Sequence, residues 1–351
     1  MGKEPNCSTA FINHSIIGGF TPPQSNCSGV IPYPGSGDPA VLKKLPLIVL
    51  FSLASLCNFS IAVAITDTKP LQVVVSSKPF HSLVAGVMAG TGSPTLLIRG
   101  SHSPHNYALK PRDAQQLQDA DLIFWGGHHI EPFLEKPLQS LAANTPVLSF
   151  DTVQKITQLP VREGVIWGEE SQHDDHAHHT HESMDPHIWL DPLNAKELVE
   201  SIAATLSQIN PQAEKQYREN GDRLQQRLEV LHQELQQQMQ PLAGRAFMVY
   251  HDSYQYFEKR YHLQTVGAVT QHVEHGSSAG ALQQVRRQIA AHQIRCIFKE
   301  PQFSSRLVQV AAEGSHARIS VLDPIGANLI PGADLYFQLL RNISRSLRSC
   351  L

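Results

Sequence analysis

The chain has 351 residues, with 28 Lys and Arg against 31 Asp and Glu and a formal net charge of −3. That balance leaves no global positive field of the kind a nucleic-acid binder presents. The composition, 41% hydrophobic with ordinary Gly and Pro content, excludes a fibrous or wholly disordered chain and leaves room for two domains, each with its own core.

Residues 1–40 are rich in Pro, Gly, Ser and Asn without periodicity, and are expected to lie outside the fold as an extension from an early start codon. Residues 41–64 read as a signal peptide. Lys43 and Lys44 lead, the apolar run 45–56 follows, and Ala62-Val63-Ala64 supplies small residues for cleavage after Ala64. The run is shorter than the roughly 20 residues a membrane span needs, so export into the periplasm is expected. A lipid anchor on Cys57 is disfavoured because Leu56 before it is not small. Cys7, Cys27 and Cys57 leave with the leader, which leaves Cys296 and Cys350. In an oxidising compartment these two are expected to pair, tying the C-terminal tail to a strand, the alternative being two unrelated thiols. A loop of that length is stabilised by roughly 4 kcal/mol when closed.

Beyond the leader, strands at 71–76, 95–98, 122–125 and 146–150 interleave with helices at 79–89, 112–120 and 131–142. The pattern restarts with strands at 245–250, 263–269, 295–299 and 319–322, and helices at 253–261, 279–292, 305–313 and from about 334. Two such runs predict an α/β fold of two lobes, each a parallel sheet flanked by helices, over 65–191 and 241–351. Linking helices are expected over 192–240, at 192–209 and 211–239. In the second, Tyr217, Leu224, Leu228, Leu231, Leu235 and Met239 recur at spacings of seven, four, three, four and four. That stripe predicts a rigid brace of about 45 Å between the lobes; a coiled-coil dimer is the rival reading.

Chemistry concentrates in two places. The tract 173–184, HDDHAHHTHESM, places His173, His176, His178, His179 and His181 among Asp174, Asp175 and Glu182. Imidazoles and carboxylates together attract divalent metals, so the loop 170–184 reads as a metal-collecting segment. The second place is the carboxyl ends of the strands, where open α/β sheets bind ligands. His105 follows the strand at 95–98, His187 ends the first lobe, His251 follows the strand at 245–250, and Asp323 follows that at 319–322. Two residues from each lobe would place three nitrogens and one carboxylate in the cleft, a set zinc accepts in tetrahedral geometry. His81, His102, His128, His129, His272 and His275 fall on helix starts and loops, with His128 and His129 as candidates for the cleft rim.

The ordered motifs GSHSPHNYALKPRDAQQLQDADLIFW, the acidic His-rich loop, DPHIWLDP, YHDSYQYFEKRY, FKEPQFSS and LDPIGAN resemble those of the zinc-binding solute receptors of bacterial ABC importers, from about Leu71 to Cys350. The resemblance implies two α/β lobes joined by a long rigid helix, metal in the interlobe cleft, and His105, His187 and His251 as primary ligands. It implies a disulfide between Cys296 and Cys350. It also matches Asp323 to an aspartate that ligates metal in related receptors, although in the zinc receptors water or a nearby carboxylate can take its place. An accessory glutamate before the first ligand is absent, Pro104 standing there. Manganese receptors of the family tend to carry a glutamate where this chain has His251, and three imidazoles favour zinc over manganese.

The expected function is high-affinity capture of Zn2+ in the periplasm and delivery to an ABC permease by a monomer that is not an enzyme. Rival readings are a zinc buffer without a permease, a manganese receptor, and a zinc hydrolase using Asp323 or Asp252 as base. The hydrolase reading lacks an HExxH helix, a nucleophile elbow or a P-loop. Because ligation needs neutral imidazole, uptake is expected to weaken as pH falls through about 6.5.

Overall fold

The computed structural model describes residues 70–167, 183–271, 273 and 276–351. The upstream extension, the signal peptide with its cysteines, the five histidines from His173 to His181, and His272 and His275 lie outside the described residues.

The first sheet is built from β1 (Val73–Val75), β2 (Thr95–Leu96), β3 (Leu122–Trp125) and β4 (Val147–Ser149), paired in parallel in the order β2-β1-β3-β4. Its two central strands are continuous apolar runs, VVV and LIFW, because helices cover a parallel sheet on both faces. The helices α1 (Lys78–Val87), α2 (Pro111–Gln118) and α3 (Glu135–Leu141) interleave with them. Pro sits in the first turn of α1 and of α2, where its missing N–H costs nothing.

The second sheet repeats the plan with β5 (Ala246–Val249), β6 (Gln264–Ala268), β7 (Cys296–Lys299) and β8 (Arg318–Val321), parallel in the order β6-β5-β7-β8. Its helices are α6 (Gln255–Tyr261), α7 (Ala279–Ala291) and α8 (Arg306–Ala312), and the chain ends in α9 (Leu335–Cys350). In both sheets the strand order reverses beside the first strand, which opens a crevice at the carboxyl ends.

Between the sheets run α4 (Pro192–Ile209) and α5 (Glu214–Met239). Asp191 caps α4 by accepting from the Leu193 amide at 2.9 Å, and its carboxylate also receives the Arg260 fork at 2.9 and 2.6 Å. The 26 residues of α5 span about 39 Å, shorter than expected because residues 211–213 form a 3-10 turn. All six residues of its apolar stripe are buried, in one core shared with α1, α4 and α9. The stripe is buried within the chain's own core.

Two further features tie the elements together. The last helix, α9, packs on α5, on α1 and on β8. Its Leu335, Leu339, Leu340, Ile343 and Leu347 enter the same core, and the Tyr336 hydroxyl donates to the Trp189 carbonyl at 2.7 Å. The second feature is a strap over 160–167 that leaves the first sheet and pairs with the second. The Trp167 amide donates to the Val266 carbonyl at 3.0 Å and the Ala268 amide to the Val165 carbonyl at 2.9 Å. A Cβ at Gly267 would lie 2.3 Å from the Val165 oxygen, so only glycine lets the strap approach β6 this closely. Cys296 and Cys350 form a disulfide with Cα atoms 5.9 Å apart, tying β7 to the end of α9.

Candidate metal centre

Three histidines distant in sequence meet in the crevice. His105 sits in a 3-10 turn (Pro104–Asn106) after β2, its amide bonded to the Ser103 hydroxyl at 3.3 Å. His187 immediately precedes the turn Ile188–Leu190, and His251 follows β5 by one residue. The Nε2 atom of His187 lies 3.3 Å from that of His105 and 3.4 Å from that of His251. Among the described residues these are the one group of His, Cys, Asp and Glu whose ligand atoms all fall within 4.8 Å of one another.

Two carboxylates set the rings. Asp185 accepts from the His187 Nδ1 at 2.7 Å and from the His187 amide at 3.0 Å. Glu300 lies 2.8 Å from the His251 Nδ1. A carboxylate on Nδ1 makes that nitrogen the donor and turns the Nε2 lone pair toward the centre, the arrangement usual for imidazole ligands of metals. The opposite Asp185 oxygen Oδ2 and Glu300 oxygen Oε2 are buried without a protein partner.

Burial and mutual repulsion push the His105 and His187 pKa values well below 6.5, so both rings are neutral at physiological pH. Burial also depresses His251, but the charge and hydrogen bond of Glu300, with Asp252 and Asp185 nearby, outweigh it and raise its pKa. Burial pushes Asp185 up to about 7 and Glu300 above the usual carboxylate range. The centre therefore presents the free imidazole lone pairs of His105 and His187, with His251 as the ring that favours its proton.

Asp323, the fourth expected ligand, is not brought to the cluster. Its Oδ1 accepts from the amides of Ile325 and Gly326 at 3.1 and 3.0 Å and from Gln302 at 2.8 Å, and its Oδ2 from the Ala327 amide at 2.7 Å. Its carboxylate organises the turn after β8. The opposite face of that turn receives Lys78, whose ammonium donates to the carbonyls of Gly326 at 3.1 Å and Ala327 at 2.6 Å. His129 lines the cleft, as expected of a rim residue, whereas His128 pairs with Glu135 at 2.9 Å on the surface. His81 is buried against the Pro94 carbonyl at 3.1 Å, and the His102 ring packs beside Tyr107.

Asp185 and Glu300 had no role assigned from sequence. Both were within reach of the argument used for the histidines: Glu300 is the first residue beyond β7, and Asp185 stands two before a candidate ligand. The cleft in front of the cluster encloses about 270 Å³ and is lined by the three histidines with Asp185, Asp252 and Arg162 among others. A larger groove of about 530 Å³ between α7 and α8 shares no residue with it. The Glu300→Ala substitution is expected to weaken metal binding roughly ten- to hundredfold, because His251 loses the partner that fixes its ring. Metal titration alongside a circular dichroism spectrum checks this; unchanged affinity would remove Glu300 from the site.

The family model described as "Zinc-uptake complex component A periplasmic" matches residues 73–350. This chain belongs to the ZnuA family. The high-affinity zinc uptake system protein ZnuA of Brucella abortus is 38% identical over 337 residues, covering 88% of this chain and 99% of the relative. That of Yersinia pestis is 32% identical over 289 residues, covering 80% and 91%. Among solved structures, a ZnuA crystal structure superposes with a TM-score of 0.69 at 26% identity, covering 80% of this chain and 99% of the other. A ZnuA deletion mutant with zinc bound gives 0.63 at 26% identity, covering 80% and 98%. The Pseudomonas aeruginosa binding protein FpvC in complex with Mn2+ shares the fold, with a TM-score of 0.68 at 21% identity and coverage of 80% and 99%. As a ZnuA-family protein the chain is the solute-binding component of a zinc uptake complex and not an enzyme, and the hydrolase reading falls.

Proposed function

We propose that this ZnuA-family chain captures Zn2+ in the periplasm through His105, His187 and His251 and hands it to the permease of an ABC importer. One observation carries the reading: the Nε2 separations of 3.3 and 3.4 Å. A tetrahedral zinc with Zn–N bonds of about 2.0–2.1 Å has ligand–ligand edges of about 3.3–3.4 Å. Those separations support a tetrahedral zinc shared by the three rings. With Asp323 committed to its own turn, solvent is the fourth ligand in this reading. The cysteine-bearing leader 41–64 directs export, the lobes over 65–191 and 241–351 supply the ligands across the helices of 192–240, and the monomer is the working unit. The His-rich segment His173 to His181 gathers ions at lower affinity.

The test is competition calorimetry of the chain from Ile65 with zinc and manganese. A single tight zinc site with weak manganese binding supports the reading; manganese binding as tight as zinc would overturn it. The absence of a growth defect under zinc limitation in a deletion strain would favour a buffer over a receptor.

The pH dependence follows from the three rings. His105 and His187, with depressed pKa values, are already neutral and give up no proton to the metal. His251, with a raised pKa, is the ring that zinc must deprotonate. Protonation opposes binding, so affinity falls as pH drops through the His251 pKa, and the loss starts above 6.5 rather than at it. Fewer protons are released on binding than the three expected of independent histidines, so the slope with pH is shallower. Zinc titrations in buffers of differing ionisation enthalpy count the protons released; a count near three would sink this account.

A further inference from the structure

Four carboxylates surround the histidine cluster, and each already has a partner other than an ion. Asp185 and Glu300 are on the Nδ1 atoms of His187 and His251, and Asp323 is on its own turn. The fourth is Asp252, next to His251 in sequence and lining the same cleft as the three rings. Its carboxylate is gripped by Arg162, through Nε at 2.8 Å and a second, shorter contact from Nη2. The same guanidinium reaches Glu258 at 2.9 Å and lies 3.7 Å over the centre of the Trp167 ring. Arg162 belongs to the strap, which the Gly267 contact presses against β6. The fork is therefore held at both ends. Among the four carboxylates, only Asp252 both opens on the cleft and is restrained by a side chain that is neither a ligand nor part of a turn.

We propose that Arg162 is a specificity-determining residue: by holding Asp252 in a bidentate ion pair it withholds an oxygen ligand from the cleft, so that an entering ion meets imidazole nitrogen alone. The physical basis is ligand hardness. Three nitrogens with a solvent position suit zinc, whereas each added carboxylate oxygen favours manganese and higher coordination numbers. A planar fork matched to a carboxylate restrains it as an ammonium would not. This inference rests on the reading of the three histidines as the zinc site.

The experiment titrates the wild-type chain, Arg162→Gln, and Arg162→Gln/Asp252→Asn with Zn2+ and Mn2+, and records the visible spectrum of each with Co2+. Arg162→Gln is expected to raise the manganese-to-zinc affinity ratio roughly tenfold or more, the usual scale for groups around a metal site. It should also weaken the intense Co2+ bands of a tetrahedral site. Adding Asp252→Asn should return both readouts to the wild-type values, which loss of packing alone would not do. Because Arg162→Gln leaves Glu258 buried without its cation, Arg162→Gln/Glu258→Gln is measured in parallel to keep the fold while still freeing Asp252. An unchanged ratio, a parallel fall in both affinities, or a raised ratio that persists in the Asp252→Asn double variant overturns the proposal while leaving the histidine site intact. A wild-type chain that binds neither zinc nor cobalt overturns the histidine reading, and this inference with it.

Discussion

Replacing His187 with alanine is expected to abolish tight zinc binding, with the largest loss of any single substitution in the cleft. His187 is the central member of the triad, with its Nε2 within 3.4 Å of both neighbours. Structural zinc sites bind with about 10–16 kcal/mol, so each of three or four ligands carries about 3–4 kcal/mol, or two to three powers of ten in affinity. His105→Ala and His251→Ala should fall in the same range. The fold should survive, because the substitution removes one buried ring from a crevice and leaves the shared core of α1, α4, α5 and α9 intact. Asp185, orphaned by the change, is already pushed up to about 7 and can stay protonated rather than bury a charge. The control is a chain lacking residues 173–181, which should keep the tight site and lose only weaker ones. Calorimetry in which that deletion removes the tight site, while His187→Ala retains it, would transfer the centre to the His-rich segment.

The lobes were legible because buried parallel strands and their helices write themselves as alternating apolar runs. Every expected element from the strand at 71–76 onward has an observed counterpart, shifted at most a few residues at its ends. The triad was legible for a different reason. Strand ends in open α/β sheets converge, so residues 82 and 64 positions apart in sequence could be brought together on paper. That rule places a residue but does not aim its side chain, and Asp323 shows the gap. Its sequence, Asp-Pro-Ile-Gly, is a turn signature in which the carboxylate caps following amides, and the structure uses it so. The strap at 160–167 could not be read at all. It has no period, and its pairing with β6 depends on backbone contacts across about a hundred residues, hinted at only by a glycine inside a strand. Nor does periodicity say which core claims the last helix. The helix expected from about 334 carried no sign of its partners, because its packing on α5 and α1 is a matter of tertiary geometry.

Removing the disulfide, by Cys296→Ala with Cys350→Ala, is expected to destabilise the chain by roughly 4 kcal/mol, the loop-closure value for cysteines 54 residues apart. For a chain of this size that corresponds to a fall in Tm of about 7 °C. Both positions are buried, so alanine avoids placing an unpaired hydroxyl in the core. The bond joins two structures that matter differently. Cys350 ends α9, which packs against the brace helix α5, and Cys296 begins β7, whose far end presents Glu300 to His251. If the cross-link acts on the unfolded chain, as loop closure implies, stability falls while zinc affinity stays near its wild-type value. The parallel pairing of β7 with β5 and β8 is expected to hold Glu300 in place without the bond. Differential scanning calorimetry and zinc titration of the double variant separate the two effects. A loss of zinc affinity of tenfold or more, at a temperature where the variant is fully folded, would mean that the bond also sets the position of β7 in the native state, and with it the ring of His251.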